Sequence, residues 1–429
     1  MDFITHLEKY LSNDDINNLL TSLEKNRVTS FILNTNKLTK DKLISLFPNI
    51  KEYKDLPNCF TYSKDEYDLG KSYLFNNGVI YIMDISSQLV PHYLDLNDND
   101  LVLDMCSAPG GKAICLALKN PTCQILANDL SFERAKILSS NIEKIGVKNV
   151  TVISNDFSKN SREFIGKFDK ILLDAPCSGS AMFRKQEDVK KDWTYEKVLK
   201  LSAIQKELLE HAYIMLKNGG EIMYSTCSFS YEEDEEVILD FLSKHKDMET
   251  VSIPPLKGFY SSDILKDSVH IFPHLFESEG QFFCKLKKKG VGNPTDFKIN
   301  KKIKKENIKE LEQYNLSFNY IEKINDLIYG YDYDFNLKRI SILRKGVLLG
   351  ELNKEIFKPS FNLAHYLPSS FSISLNEEEF KKYIKGETIQ KQLNIKNGYY
   401  VVSYNSINLG FIKYINGTMK NLYPKGLRH

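Results

Sequence analysis

The sequence contains no apolar run that approaches the roughly 20 residues needed to span a bilayer. Its first segment, MDFITHLEKYLSNDD, has early acids and lacks a cationic stretch followed by an apolar one. We therefore expect neither a secretory signal nor a membrane helix. A cytoplasmic protein without membrane contact is the resulting prediction.

Cysteine is also scarce, and its spacing excludes common cysteine frameworks. The 7 cysteines stand at positions 59, 106, 115, 123, 177, 227 and 284, with no C-x-x-C pair among them. We therefore expect no disulfide framework and no bound metal. Free cysteine is among the most buried residue types, so buried thiols are expected at Cys59, Cys115, Cys123 and Cys284.

The chain is long enough for two or three domains, and its charge is unevenly distributed. Residues 291–429 contain 22 Lys and Arg against 14 Asp and Glu, a net charge of +8, which leaves −6 on the first 290 residues. A basic last third could hold a polyanion. A solvated lysine-rich surface is an equally common reason for such a balance.

Short apolar runs alternate with amphipathic segments between residues 79 and 286. The strand candidates are LVLD (101–104), QILAND (124–129), VTVISND (150–156), KILLDAP (170–176), EIMYST (221–226) and QFFCKL (281–286). Helical patterns such as ERAKILSSNIEKIG lie between the first five strands. This order predicts an α/β fold with a parallel, doubly wound, Rossmann-like sheet.

The two ends of the chain have other patterns. Residues 1–75 contain a helical pattern, FITHLEKYL, and a short extended run, SFILNT, so a small α+β region is expected. The basic, Gly- and Pro-containing stretch KKKGVGNPTD predicts a boundary between domains. Beyond it, EEEFKKYIKGE is helical, whereas GYYVVSY and INLGFIKYI are strand-like. The predicted domains are 1–75, 76–290 and 291–429.

One glycine-bearing loop has the features of a ligand site. In LVLDMCSAPGGKAICLAL, Gly110 and Gly111 let a ligand approach the backbone, and a helix N-terminus follows. The loop matches neither the dinucleotide fingerprint nor the P-loop. Asp104, Asp129 and Asp156 end three consecutive predicted strands, where an acid commonly bonds a ribose hydroxyl. A turn or helix cap is the ordinary role of a single such acid.

Three motifs carry a family resemblance. DMCSAPGGK, DAPCSG and YSTCS, in this order and spacing, resemble the RNA 5-methylcytosine methyltransferases of the Nol/Nop/Sun family over residues 80–290. The resemblance implies S-adenosylmethionine in the loop, with Asp129 on its ribose, Asp156 near its adenine and Asp174 between methyl donor and base. The implied cofactor-binding residues are Cys106, Ser107, Ala108, Pro109, Gly110, Gly111, Lys112, Asp129, Arg134, Asp156 and Asp174.

The same resemblance implies different catalytic roles for two cysteines. Carbon 5 of cytosine is a poor nucleophile, so a thiolate first adds at carbon 6 and moves electron density onto carbon 5. By similarity, Cys227 is the attacking thiol, Cys177 assists its release, and Asp174 stabilises charge on the ring. Lys112, Arg184 and Lys185 are candidate cations for lowering a thiol pKa.

The C-terminal segment resembles the tail of the bacterial F-type small-subunit ribosomal RNA methyltransferases, which end in a PUA-like RNA-binding domain. Lys413, Lys420, Lys425 and Arg428 are candidate phosphate contacts. We expect a monomeric enzyme that makes 5-methylcytosine in 16S ribosomal RNA, with the RNA or the small ribosomal subunit as its partner. Transfer RNA stays open as a substrate, as does a non-catalytic role as an RNA-binding ribosome assembly factor.

An acidic run follows the second cysteine motif in STCSFSYEEDEEV. Ser230 and Glu233 have the spacing of a helix capping box, and residues 232–236 would fall in the first turns of a helix, where the dipole favours negative charge. The pattern therefore predicts that the acids begin a helix and that Cys227 lies before it.

Overall fold

The computed structural model describes residues 2–292, 306–337, 340–354 and 356–428. Two compact units divide the chain. Unit 1 comprises Met1–Ser30, Met83–Lys136 and Ile153–Asp296, and unit 2 comprises Phe31–Ile82, Ile137–Val152 and Phe297–His429. The predicted boundary KKKGVGNPTD falls partly on residues 293–305, which lie outside the described residues.

The α-helices of the described residues are, in chain order, α1 (Phe3–Leu7), α2 (Asn13–Leu23), α3 (Lys40–Leu46), α4 (Tyr73–Asn76), α5 (Ile85–His92), α6 (Gly111–Lys119), α7 (Phe132–Ile145), α8 (Phe157–Asn160), α9 (Glu187–Lys191), α10 (Tyr195–Met215), α11 (Glu235–Lys244), α12 (Lys309–Glu312), α13 (Phe361–Tyr366) and α14 (Glu377–Lys385).

The strands of the described residues are β1 (Thr29–Leu33), β2 (Lys51–Glu52), β3 (Cys59–Tyr62), β4 (Ile80–Ile82), β5 (Leu101–Asp104), β6 (Gln124–Asn128), β7 (Val150–Ser154), β8 (Phe168–Asp174), β9 (Leu216–Thr226), β10 (Met248–Val251), β11 (Phe259–Tyr260), β12 (Ser268–Ile271), β13 (Gln281–Lys288), β14 (Tyr320–Ile324), β15 (Leu327–Tyr331), β16 (Ser341–Lys345), β17 (Val347–Asn353), β18 (Ile356–Pro359), β19 (Ser372–Ser374), β20 (Ile389–Gln390), β21 (Gly398–Tyr404), β22 (Ile407–Ile415) and β23 (Thr418–Asn421).

Unit 1 is built on a sheet in the order β11-β12-β13-β9-β8-β5-β6, with β10 also paired to β13. The pairs β5/β6, β5/β8 and β8/β9 are parallel, whereas β13 is antiparallel to β9. Every residue of β5 and β6 is buried, as expected for strands that helices cover on both faces. The predicted Rossmann-like parallel sheet is confirmed.

Register brings the chemically interesting strand ends together. Asp174 of β8 lies opposite Ser225 of β9, and Ser225 lies opposite Phe283 of β13. The carboxyl ends of parallel strands meet at one edge of a sheet, which is where such folds bind ligands. The loops after β5, β6, β8 and β9 therefore belong to a single edge of unit 1.

Among its described residues, unit 2 has sheets in the orders β2-β3-β1-β4, β14-β15-β17-β18 and β19-β21-β22-β23-β20. The last of these holds the two predicted C-terminal strands, which pair antiparallel as β21 and β22. The predicted helix is α14, and it begins with a capping box between Asn376 and Glu379. The predicted β-rich C-terminal part is thereby confirmed. No helix in the described part of the chain combines the length and apolarity needed to cross a membrane.

Candidate active site

The sheet edge of unit 1 holds the predicted acids and the predicted thiols. Asp104 and Asp174 are the last residues of β5 and β8, Asp129 directly follows β6, and Cys227 directly follows β9. Asp156 comes two positions after β7. Counting along buried strands therefore placed these side chains at the same edge.

The glycine loop after β5 is anchored to its neighbouring strand. The Ser107 N–H donates to the Asn128 carbonyl at 2.7 Å, and the Ser107 hydroxyl donates to Asp104 at 2.7 Å. Burial raises the pKa of Asp104 to about 7, against the opposing effect of the Ser107 hydrogen bond. Gly110, the N-cap residue of α6, has φ 111°, a conformation that favours glycine. The first amides of α6 consequently face the loop without helical acceptors.

Asp129 presents one unsatisfied oxygen at this loop. Its Oδ1 accepts the Ser131 N–H at 2.9 Å, whereas its buried Oδ2 accepts no hydrogen bond. The Arg134 guanidinium lies 3.4 Å from Oδ2 and donates to the Ala108 carbonyl at 2.7 Å. Asp129, Arg134 and the glycine loop thus form one connected group.

Asp156 has a more local environment. It is the N-cap residue of α8 and accepts hydrogen bonds from the Ser158 N–H at 3.1 Å and the Ser158 hydroxyl at 2.6 Å. The hydrogen bond from Ser158 and the ammonium of Lys159, at 3.0 Å, lower the pKa of Asp156. Its structural role is a helix cap, which is the ordinary role of a strand-end acid.

Asp174 links the cofactor loop to the cysteine loops. Its Oδ2 lies 2.8 Å from the Lys112 ammonium, and its Oδ1 accepts hydrogen bonds from the Ser225 hydroxyl at 2.7 Å and from the Gln281 amide at 3.3 Å. Burial lowers the pKa of Lys112, but the Asp174 carboxylate more than offsets this effect, so the net shift is upward. Lys112 is therefore a fixed cation in the site.

The two predicted catalytic thiols are in contact. The Sγ atoms of Cys177 and Cys227 lie 3.1 Å apart, and the Cys227 N–H donates to the Cys177 sulfur at 3.3 Å. The hydrogen bond to Cys227, together with burial, holds the pKa of the Cys177 thiol well above its ordinary value. Cys177 is thus kept as a neutral S–H beside the sulfur of Cys227.

Four of the other five cysteines have environments that suppress their reactivity. Burial raises the pKa of Cys106, Cys115, Cys123 and Cys284. A thiol needs its anionic form to act as a nucleophile. The cofactor-loop cysteine, Cys106, accordingly has the environment of a structural residue.

Of the three cations predicted to lie near the thiols, one belongs to the site. Lys112 reaches the site through Asp174, as described above. Arg184 instead forms a 3.0 Å ion pair with Glu279 and donates to the Ser278 carbonyl at 2.6 Å. Lys185 is exposed.

The prediction of a capping box after Cys227 is wrong. Helix α11 begins at Glu235, and its N-cap residue, Asp234, makes no side-chain capping bond. The Glu233 carboxylate accepts hydrogen bonds from Ser178 instead, at 2.8 Å from the N–H and 2.5 Å from the hydroxyl. Four of the five acids are buried, at positions 232, 233, 234 and 235. Interior donors, rather than the helix dipole, therefore set the position of Glu233.

Sequence reasoning missed several polar residues that line or brace the site, namely Ser178, Gln205, Ser225, Ser228, Glu233 and Gln281. Ser225 sits inside the YSTCS motif, opposite Asp174, so register could have indicated its role. Ser178 and Ser228 each follow a predicted catalytic cysteine. The long-range contacts of Glu233 and Gln281 gave no local signal.

Comparisons with known proteins agree with this geometry. The family described as "16S rRNA methyltransferase RsmB/F" matches residues 91–287, and the "Methyltransferase RsmF PUA domain" matches residues 370–429. "Ribosomal RNA small subunit methyltransferase F" of Vibrio atlanticus (strain LGP32) is 29% identical over 99% of this chain and 97% of its own length. The protein of the same name from Vibrio vulnificus (strain YJ016) is 30% identical over 82% of this chain and 79% of its own.

A solved structure supports the fold. A methyltransferase homolog protein from Pyrococcus horikoshii is 28% identical, has a TM-score of 0.57, and is matched over 65% of this chain and 92% of its own. The parallel sheet, the glycine loop and the strand-end acids define a Rossmann-like methyltransferase. The relatives and the two matched regions then specify the group further: the chain belongs to the RsmB/F family of 16S rRNA methyltransferases and carries an RsmF-type PUA domain. The sequence-based family, fold and enzyme class are thereby confirmed.

Proposed function

We propose that this enzyme methylates carbon 5 of a cytosine in 16S ribosomal RNA, with S-adenosylmethionine as methyl donor. The observation that carries the proposal is the contact between Cys177 and Cys227, 3.1 Å apart at the sheet edge. The Asp174–Lys112 pair, at 2.8 Å, joins this thiol pair to the glycine loop. Two thiols beside a loop that fits a methyl donor suit a reaction that needs both addition to the base and release from it.

The residues at the loop fit S-adenosylmethionine. The cofactor carries ribose hydroxyls that need acceptors, and the Asp129 Oδ2 is a buried acceptor without a hydrogen bond. The loop from Cys106 to Lys112, together with Arg134 and the α6 amides, would surround the remainder of the ligand. Asp156, although it caps α8, is exposed enough on the same edge to line the adenine side. When bound, the cofactor supplies an electrophilic methyl group.

Cys227 is the proposed nucleophile. Its thiolate adds to carbon 6 of cytosine, which moves electron density onto carbon 5 and makes that carbon nucleophilic. The Cys177 sulfur lies 3.1 Å from the Cys227 sulfur, and its raised pKa keeps an S–H group beside the nucleophile. Asp174, which Lys112, Ser225 and Gln281 hold in place, accepts a hydrogen bond from the amino group of the base and so positions the ring. The Lys112 ammonium beside it offsets the negative charge that develops on the ring.

Cys177 is the proposed release residue. After methylation, a water molecule takes the proton from carbon 5, and the electron pair of that C–H bond restores the ring double bond and expels Cys227 as a thiolate. The raised pKa of Cys177 keeps a proton beside this departing sulfur, so the thiolate is stabilised as it leaves. Without that proton the enzyme would stay bonded to its product.

The RNA-binding part of the proposal rests on the PUA domain. Lys413 of β22 and Lys420 of β23 are exposed and directly opposite each other. Like charges in such cross-strand positions repel unless an anion lies between them. A phosphate of the RNA would satisfy the pair, with Lys425 nearby in sequence. Arg428 is less available because its guanidinium donates to the Tyr423 carbonyl.

The target cytosine must leave any stacked arrangement before its ring can reach the two thiols at the sheet edge. This requirement favours an unpaired or easily opened nucleotide.

Three features of the protein stay predictions: a monomeric state, a cytoplasmic location and the three domains 1–75, 76–290 and 291–429.

A labelled-methyl assay tests the proposal. The enzyme, the labelled cofactor and one of three substrates are combined: small ribosomal subunits, free 16S RNA or bulk transfer RNA. Transfer of label to carbon 5 of cytosine in the subunit or its RNA is expected. Transfer to transfer RNA alone would replace the substrate, and no transfer to any of the three would favour a non-catalytic RNA-binding factor.

A further inference from the structure

A serine follows each of the paired thiols, and the two serines are also in contact. Ser178 follows Cys177 and Ser228 follows Cys227, and their hydroxyl oxygens lie 3.2 Å apart. Both serines are fully buried, with at most 1% of their surface exposed. The two thiol-bearing loops therefore meet at two successive pairs of side chains.

Glu233 ties these two loops together. Its Oε2 accepts the hydroxyl protons of Ser178, at 2.5 Å, and of Ser228, at 2.6 Å. Its Oε1 accepts the Ser178 N–H at 2.8 Å and the Gln205 amide at 3.0 Å. Gln205 also donates to the Pro176 carbonyl at 2.9 Å. One carboxylate thus holds the residue after each thiol, and an amide bound to it holds the residue before Cys177.

The environment of Glu233 disfavours movement of either thiol-bearing loop. The side chain is 0% exposed, and its donors are hydroxyl and N–H groups. A buried carboxylate is costly unless its oxygens are hydrogen-bonded, so moving either loop would leave charge unsatisfied. Burial raises the pKa of Glu233, although the bonds from Ser178 and Ser228 oppose that shift. The backbone is fixed as well, because the Tyr224 hydroxyl donates to the Glu233 carbonyl at 2.6 Å.

We propose that Glu233 is a positioning residue that holds the sulfurs of Cys177 and Cys227 at their contact distance through Ser178 and Ser228. Its effect on methyl transfer rests on the proposed function above. Its effect on the distance between the sulfurs does not, so the two can be tested separately.

The first measurement follows the sulfurs directly. Diamide oxidises two neighbouring thiols to a disulfide and takes up both hydrogens itself, so the rate of the Cys177–Cys227 linkage, read by peptide mass spectrometry, reports their proximity. Glu233→Ala should slow this linkage by about 10-fold. Glu233→Gln retains one acceptor oxygen and a polar group of equal size, so it should recover part of the rate. A wild-type linkage rate in Glu233→Ala would overturn the proposal.

The second measurement follows methyl transfer. Displacing a catalytic group by about 1 Å can cost on the order of 100-fold in rate, so Glu233→Ala should lower kcat by about 100-fold and leave the KM for S-adenosylmethionine unchanged. A slower linkage in an enzyme whose wild type methylates no RNA would refute the proposed function and retain the positioning role. A rise in cofactor KM without a change in linkage rate would contradict the positioning role alone.

Control variants guard against a general loss of structure. Glu236→Gln changes an acid three positions further along the chain, in the first turn of α11, that pairs with Lys206 at 2.7 Å, and it should leave linkage and kcat at wild-type values. If Glu233→Ala does not fold, Ser178→Ala and Ser228→Ala carry the test, since each removes one donor. Each should slow the linkage, and the double variant should slow it further. Wild-type rates in all three serine variants would refute the proposal.

Discussion

The two halves of the sheet edge are built differently. In the cofactor half, Asp129 and Asp156 bond residues two positions further along their own loops. In the thiol half, Glu233 accepts a bond from Ser178, 55 positions away. A ligand that is exchanged at every turnover needs acceptors that can be reached, whereas two thiols that share one reaction need a fixed distance. The difference indicates that the cofactor half is arranged so that a ligand can enter and leave, and that the thiol half is arranged to keep the two sulfurs at a fixed distance.

The largest effect should come from the thiols themselves. Cys227→Ala removes the proposed nucleophile and should abolish methyl transfer. Cys177→Ala keeps the nucleophile but removes the proton beside the departing sulfur, so an RNA–protein adduct that survives denaturation should accumulate. Gel electrophoresis of enzyme with labelled RNA distinguishes the two variants. An adduct in Cys227→Ala, and none in Cys177→Ala, would reverse the assigned roles.

A smaller effect is expected where the two halves are joined. Lys112→Met removes the cation 2.8 Å from Asp174 and leaves that carboxylate without its ionic partner. The loss of a charged hydrogen bond in a partly buried site is worth about 10- to 100-fold, and it should appear in kcat. Lys159→Met is the matched control, because Lys159 pairs with Asp156 at 3.0 Å but is 77% exposed. Equal losses in both variants would show that the Lys112 pair has no special role.

The strand ends could be predicted from sequence for a simple physical reason. Strands β5, β6 and β8 are almost entirely buried, so their sequences are nearly uninterrupted apolar runs whose ends can be counted. Asp104 and Asp174 stand at two of those ends, Asp129 directly follows the third, and Cys227 directly follows β9. The roles of the cysteines came from the family resemblance, because a lone thiol at a strand end carries no chemical signature.

The bracing contacts could not be predicted in the same way. Ser230 and Glu233 have the spacing of a capping box, but the local pattern does not reveal that folding buries Glu233 against Ser178. Arg184 was a candidate neighbour of the thiols, yet its partner Glu279 is 95 positions away. Side chains of this kind are placed by tertiary packing, which short sequence windows do not encode.

Within the cofactor half, Asp129 and Asp156 should differ in their effect on binding. Asp129 is buried and has one oxygen that accepts no hydrogen bond, whereas Asp156 is a cap with both its donors close in sequence. Asp129→Asn should weaken S-adenosylmethionine binding by about 10-fold, since a hydrogen bond to a charged group is lost. Asp156→Asn should weaken it less. Calorimetric titration of the cofactor measures both, and a larger loss in Asp156→Asn would reverse the proposed ranking.

The smallest expected effect concerns stability rather than activity. It tests whether burial keeps the Asp104 carboxyl of the cofactor half protonated. The folded pKa of Asp104 is about 7, above its ordinary value of 3.8. Between these values the folded chain holds a proton that the unfolded chain has lost, so this group's contribution to stability falls as pH rises from about 4 to about 7.

Asp104→Asn removes that dependence and keeps a group that can accept from Ser107. The Tm of the variant, measured without added cofactor, should therefore rise relative to wild type between pH 5 and pH 8, by roughly 2 to 6 °C. Asp98→Asn, at an exposed carboxylate that accepts from Thr122, should show a difference that does not change with pH. If the Tm difference between Asp104→Asn and wild type also stays constant with pH, Asp104 is ionised throughout this range. The cofactor half would then stabilise a buried carboxylate, as the thiol half does at Glu233.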